Sequence, residues 1–472
     1  MREQLRPVWL ITYRELRDQL RDWRIIFPLV VLTLLFPSLM NFTAKEILDF
    51  VNQFGATLIG ERLVPFLLMV VGFFPITVSL VIALETFVGE KERGTIEPLL
   101  SSPLKDWQLY LGKLLAATIM PLVTAYLGIA VYLVGLHLQH IPIPPPNLLV
   151  QTVILTSAQA VLMVSGAIVI STQSTSVRAA NLLSSFIIIP TALLIQGESV
   201  LMFWGNNQVL WLAVFGVSIM AALLVRLGLA HFQREGLLGR EIDMLNLRWI
   251  GRTFGSAFTG GARSVTDWYR CEIPKTLRKM TLPLVLTLIL GLAGGVFGYI
   301  WMSANASALS ATATPEDIGT LIESAMSATG EVKITFPFIW GHNLRAVALI
   351  LLLGTFSFGV LGTLVYLANM GLIGGVLALT ALLGYSPIQL ALSGILPHGI
   401  FEIPAIILSS AAVLHLGAVL VTPMPQRTLG EVFLEALADW AKIGVGLVFP
   451  LLTIAAAVET WITPLILLRA LE

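Results

Sequence analysis

From Leu114 to Val177 the chain carries no Asp, Glu, Lys or Arg, and from Ala346 to Pro397 it again carries none. About 20 apolar residues already cross a bilayer, so each run must turn back and cross again. The runs are continuously apolar rather than alternating, which excludes a membrane β-barrel. Inside hydrocarbon every backbone N–H and C=O must be satisfied locally, and that leaves helices. The fold class is therefore all-α, a polytopic transmembrane helical bundle. Charged residues make up only 12% of the 472 positions, against about 25% in soluble domains, and they gather in a few blocks between the apolar runs.

Those blocks set the spans and their direction. Eleven spans are expected, near 25–41, 63–84, 114–137, 149–171, 180–196 and 208–230, then near 281–303, 346–368, 371–391, 400–421 and 443–466. Met1 to Arg24 is too polar for a signal peptide. Leu5, Val8, Trp9, Thr12, Leu16, Leu20 and Trp23 recur at helical spacing among six arginines, the pattern of a basic amphipathic interfacial helix. A soluble helix packed on a partner is the alternative. The positive-inside bias puts the N-terminus, 85–113, 172–179 and 231–280 in the cytoplasm. It makes the protein a multi-pass inner-membrane protein. The acidic loop 304–335 then lies outside. The single Cys271 excludes an internal disulfide framework, and a net charge of zero gives no reason to expect a nucleic-acid partner.

Two membrane modules are expected: 1–230 with six spans and 266–472 with five, joined by a cytoplasmic linker over 231–265. The linker contains Phe-Gly-Ser-Ala-Phe-Thr-Gly-Gly-Ala, a flexible composition. Thr266 to Lys279 reads as a second basic interfacial helix.

The first module has a charged loop between its second and third spans. Gly94 suits a tight turn there. Thr95 is placed as the N-cap of a short helix with Glu97 in its first turn, and Ser102-Pro103 as the start of another. A charged helix-turn-helix tied to two spans can pass force from a soluble partner into the bundle. The motif is Glu-x-Gly-Thr-x-Glu-x-Leu-Leu-x-x-Pro, carried by Glu92, Gly94, Thr95, Glu97, Leu99, Leu100 and Pro103, with Glu90 beside it. In this motif and its amphipathic N-terminal helix, the stretch of about 1–230 resembles the type-2 ABC exporter permease family. The resemblance implies a permease that dimerises with itself or a second permease and docks a separate ABC ATPase on the 85–110 loop. It also implies export of a substrate that the motif does not specify. The chain has no Gly-x-x-x-x-Gly-Lys-Ser/Thr loop. ATP and Mg²⁺ are therefore expected on the partner, with no cofactor and no catalytic residue in this chain.

The second module holds polar residues at membrane depth, where they are expensive and often functional. His398 and Glu402 lie four apart on one helix face. Glu459 falls inside the last span. His342, Asn343 and Arg345 cluster at the mouth of the eighth, and Asn369-Met-Gly-Leu-Ile-Gly374 reads as a turn or break after it. These groups could bond one another to fix helix packing, line a substrate or ion path, or hold a metal or do chemistry. His-x-x-x-Glu alone is a common spacing, and no His-Glu-x-x-His or Gly-x-Ser-x-Gly accompanies it, so no metal ligand is assigned. Gly341-His-Asn-Leu-Arg345, Asn369 to Gly374, Leu396-Pro-His-Gly-Ile-Phe-Glu402-Ile-Pro-Ala405 and Glu459-Thr-Trp-Ile-Thr-Pro464 together resemble the stage II sporulation protein M family over roughly 265–470. The Leu-Pro-His-Gly-x-x-Glu-x-Pro-Ala stretch is the most specific part. That family's members scaffold cell-wall-remodelling enzymes in the sporulation setting. The alternatives to a fused permease subunit are therefore an envelope-remodelling scaffold without transport and, third, an intramembrane enzyme.

Overall fold

The computed structural model describes residues 2–53, 57–97, 101–174, 176–204, 207–232, 247–305, 335–422 and 427–471. Among these residues there is no strand. The acidic 304–335 loop, the arginines of 233–246 and the Leu99-Leu100 pair lie wholly or almost wholly outside them. The chain forms two compact units, 1–245 with 421–424 and 246–420 with 425–472.

In unit 1, α1 (Arg2–Gln19), α2 (Trp23–Gln53), α3 (Thr57–Glu92), α4 (Asp106–Leu138) and α5 (Pro146–Gln173) precede α6 (Val177–Leu183), α7 (Ser185–Trp204) and α8 (Asn207–His231). Helix α3 packs on α2, α4 and α5, and α5 also packs on α8. Ile76, Phe87, Leu109, Tyr110, Val164 and Ile168 form its main buried cluster. Helices in hydrocarbon associate by close van der Waals packing and small residues, since lipid is as apolar as they are. The N-terminal helix follows that rule. A Cβ on Gly112 would come within 2.8 Å of Ile11, so glycine lets α1 lie directly on α4. Thr12 seals the contact by donating to the carbonyls of Val8 at 2.9 Å and Gly112 at 3.0 Å. Trp9, Leu10 and Tyr13 stay exposed on the other side.

Unit 2 begins with α9 (Leu247–Thr259), which lies in the stretch expected to be linker. Val265–Asp267 and Ile273–Lys279, joined by a π turn over Trp268–Glu272, form α10. Then come α11 (Thr281–Ala304), α12 (Phe336–Phe356) and α13 (Val360–Leu382). Pro387–Leu390, a π turn over Ala391–Ile395 and Leu396–Leu420 make α14. Leu429–Ile443, a π turn over Gly444–Val448 and Phe449–Trp461 make α15, and Thr463–Leu471 is α16. The most extensive packing is between α11 and α13.

Ten helices among the described residues are long and apolar enough to cross a membrane. The expected span at 180–196 falls on α6 and α7, which meet at Ser184 and are not among the ten.

Two boundaries differ from expectation. The eighth and ninth spans, expected at 346–368 and 371–391, are α12 and α13. The chain reverses at Ser357–Gly359, with φ of 53° at Phe358 and 91° at Gly359. This turn is apolar and sits inside a charge-free run, so nothing in the charge pattern marks it. The expected break at Asn369–Gly374 is instead the middle of α13. Its glycines serve close helix contact: a Cβ on Gly374 would fall on the backbone of Gly295, and one on Gly298 would fall on the backbone of Gly371. Tyr366 adds a hydrogen bond to the Thr287 carbonyl at 3.1 Å.

Candidate functional site

The charged loop of unit 1 starts as a rigid continuation of a membrane helix. Helix α3 runs unbroken to Glu92, past the point where the span was expected to end. Gly94 then turns the chain with φ of 68°, in the left-handed region that glycine enters without strain. The helix resumes at Ile96, and Ile96 is buried. Thr95 stands immediately before it, and its hydroxyl donates back to the Glu90 carbonyl at 3.4 Å. The following helix starts at Asp106, not at Ser102-Pro103. Gln108 decides this: its Oε1 accepts the Lys105 N–H at 2.9 Å, while its amide donates to the Gln4 carbonyl at 2.8 Å.

Of the residues assigned to coupling, Glu92, Gly94, Thr95, Glu97 and Pro103 are exposed. Glu90 faces inward. Its Oε1 lies 2.9 Å from the Nζ of Lys113, a side chain with no exposed surface. The same Nζ lies 3.3 Å from Glu15 and donates to the Thr86 carbonyl at 3.0 Å. One buried ammonium thus joins α1, the end of α3 and α4. Glu15 belongs to the amphipathic N-terminal helix read from the sequence, but Lys113 and its pairing with Glu15 were not foreseen, because a separation of 98 positions leaves no local pattern.

Glu92 has a second task. Its Oε1 accepts the Val177 N–H at 2.7 Å, which places a carboxylate at the N-terminus of α6 beside the N-cap Ser176. Lys91 donates to the carbonyls of Thr172 and Ser174 at the C-terminus of α5. Ser171 reaches the other way, accepting the N–H groups of Phe87 and Val88. The end of α3 and the exposed turn at 92–97 are therefore tied to α1, α4, α5 and α6.

In unit 2 the assigned polar residues separate into two groups. His342, Asn343 and Arg345 lie within α12, not at its mouth. His342 and Arg345 are exposed, and Asn343 is buried with its Nδ2 unpartnered. Asn369 is half-buried and donates to the Val365 carbonyl one turn back on its own helix. Among the described residues no hydrogen bond or ion pair joins these four to the others. His398, Glu402 and Glu459 do come together. The His398 Nε2 is 3.9 Å from the Glu402 Oε2, and the three side chains place nitrogen and oxygen atoms within 4.8 Å of one another.

A further polar site was not visible in the sequence. Lys442, Asp439 and Glu272 are buried together: Lys442 lies 2.9 Å from Asp439 and 3.3 Å from Glu272. Lys279 completes the set, 2.8 Å from Asp439. It fastens α10 to α15. In unit 1, buried Glu198 accepts a hydrogen bond from Gln159.

Two stretches of the chain match known families. Residues 9–208 match the ABC-2 family transporter protein model. Residues 286–464 match the stage II sporulation protein M model. The chain belongs to both families, as a fusion. An uncharacterized protein of Methanocaldococcus jannaschii is 31% identical over 185 residues, covering 39% of this chain and 96% of that protein. The first match makes the chain a membrane transporter permease, multi-pass, of a family that works with an ABC ATPase. The charged 92–97 turn and the Lys113 ion pairs fall inside it, and the His398–Glu402–Glu459 group falls inside the second.

Proposed function

We propose that this fusion is the membrane subunit of an ATP-driven exporter, and that a separate ABC ATPase docks on the exposed turn Glu92–Glu97. The observation that carries this reading is the clamped turn. Its outer face offers Glu92, Thr95 and Glu97 to a partner, while its inner face is held by Lys91, Ile96 and the Glu90–Lys113 pair. An element that is exposed on one side and anchored to several membrane helices on the other can convert movement of a soluble partner into movement of the bundle. The second module is a fused accessory membrane bundle on this reading. ATP and Mg²⁺ bind the partner. The functional unit contains two permeases, and the N-terminal helix lies at the cytoplasmic interface with Trp9, Leu10 and Tyr13 toward lipid.

The test is co-purification with the ATPase. Glu92→Ala together with Glu97→Ala should lower ATPase recovery and transport by at least about tenfold, the effect of losing about 1.4 kcal/mol of interface, while the permease stays folded. Intact ATPase binding and transport in that variant would remove the turn from the coupling role.

Topology supplies a second, independent check. Cys271 is exposed and is the single cysteine of the chain, and the charge pattern puts it in the cytoplasm. A membrane-impermeant maleimide should label it in inside-out vesicles and not in intact spheroplasts; the opposite result would invert the whole orientation. The reaction should also be slow at neutral pH. The hydrogen bond and charge of Asp267 hold the thiol above its ordinary range, and the thiolate is the reactive form. Labelling should therefore accelerate as pH rises through and beyond the normal thiol pKa. Asp267→Asn should shift that rise to lower pH.

A further inference from the structure

We propose that His398, Glu402 and Glu459 form a binding site for one divalent transition-metal ion of the zinc, manganese or iron class. Four observations converge on it. The first is position. His398 and Glu402 lie one turn apart on α14, just beyond its π turn at Ala391–Ile395. Glu459 comes from α15, two residues before that helix ends at Trp461, and Thr463 opens α16. Single π turns inside helices recur at functional sites because they re-aim side chains.

The second observation is the imidazole's orientation. Its Nδ1 lies 3.2 Å from the hydroxyl of buried Thr463, and its Nε2 faces Glu402 at 3.9 Å. Metal-binding histidines are held in this way. One ring nitrogen donates to an outer partner and the other nitrogen's lone pair is left for the ion; the Thr463 hydroxyl can accept that N–H from Nδ1.

The third is spacing. All three potential donor atoms lie within 4.8 Å of one another. An ion about 2.0–2.2 Å from each of its ligands in tetrahedral geometry holds them about 3.3–3.6 Å apart, so the 3.9 Å edge and the wider ones close by small rotations of the Glu side chains.

The fourth is charge. Two half-buried carboxylates stand at membrane depth, and among the described residues neither forms an ion pair with Lys or Arg. A divalent cation cancels both charges at once. A nitrogen donor beside two carboxylates suits a first-row transition ion better than magnesium or calcium, which take oxygen. With three protein ligands, at least one coordination position is left open to water or another ligand.

The experiment uses the full chain, purified in detergent, stripped with chelator and titrated with Zn²⁺ alone. The wild type should bind one equivalent tightly, with Kd below about 10 μM, and loading with Co²⁺ should give the visible d–d absorption of a low-coordinate site. Glu402→Gln and Glu459→Gln should each weaken binding by at least about 100-fold, and Thr463→Val by about 10–100-fold as an outer partner does. His342→Ala, an exposed histidine on another helix, should leave binding unchanged. Two results overturn the proposal: no saturable Zn²⁺ binding by monodisperse wild-type protein, or undiminished affinity in both glutamine variants. The wild-type titration decides the matter even where a variant fails to fold. It needs neither the ATPase nor transport, so it stands or falls separately from the exporter reading.

Discussion

Gly374→Leu is expected to prevent α11 and α13 from docking and to leave little folded protein after detergent extraction. The position has no room for any side chain. Even a Cβ there would fall on the carbonyl of Gly295, and the mirror relation holds between Gly298 and Gly371. Backbone cannot swing away as the tip of a side chain can, so the two helices must separate along their whole contact. Overpacking of this kind costs about 1–3 kcal/mol when side chains can yield and more when they cannot. Bilayer helices have no hydrophobic drive to compensate, because lipid competes equally for the exposed face. The separation also breaks the Tyr366 hydrogen bond to Thr287. Gly341→Ala is the contrasting substitution. Nothing lies within 4 Å of a Cβ at that site, and its φ is not positive. It should be neutral or raise stability by up to about 1 kcal/mol, the helix preference of alanine over glycine. The thermal midpoint of monodisperse protein, followed by size-exclusion chromatography after heating, separates the two. Equal midpoints for Gly374→Leu and wild type would refute the close-packing account.

Lys113→Met should be the most damaging single change in the permease half. The methionine keeps the length and apolar stem of lysine but removes the ammonium shared by Glu90 and Glu15. Glu90 already has one oxygen buried without a partner, so the loss leaves a half-buried carboxylate without its ion-pair partner. Breaking a buried ion pair from one side costs about 3–5 kcal/mol. The damage should be local to the surroundings of the Lys113 ion pairs. Proteolysis and hydrogen exchange should show α1 and the 85–97 segment loosened, with α8 unaffected. Adding Glu90→Gln to Lys113→Met should recover a large part of the loss, because the unpaired charge is then gone. Without that recovery the pair contributes through packing alone.

The class of fold was legible because its cause is local. A run such as Leu114–Val177 admits no other solution in a bilayer than helices turning back on themselves. The turn at Gly94 was legible for a related reason. Gly94 sits in the conformation that its identity suits, and Glu92 and Glu97 lie where a loop motif exposes them. The reversal at Ser357–Gly359 was not, since an apolar turn leaves charge and hydropathy unchanged. Reading Arg345 as the mouth of a span then displaced two helices. Arg345 instead lies exposed within α12. The glycines of α13 misled for a different reason: glycine marks turns in water but marks close helix contacts in lipid. Contacts distant in sequence left no trace. Lys442 and Glu272 are 170 positions apart and Lys113 and Glu15 98 apart, so only folding reveals that they neutralise one another. The His398–Glu402 pair was visible as a helical spacing. Glu459 and Thr463, which complete its surroundings, arrive from another part of the chain.

The central claim is that a separate ATPase works on the turn at 92–97. The most direct measurement places a photo-crosslinking residue at Glu97 in native membranes, with Tyr385 of the second unit as the control site. Peptides of the captured partner are then identified. The account predicts that Glu97, and not Tyr385, captures a protein carrying a Gly-x-x-x-x-Gly-Lys-Ser/Thr nucleotide loop, and that Glu92→Ala diminishes the yield. Capture of no such protein from position 97, while transport persists, would contradict it.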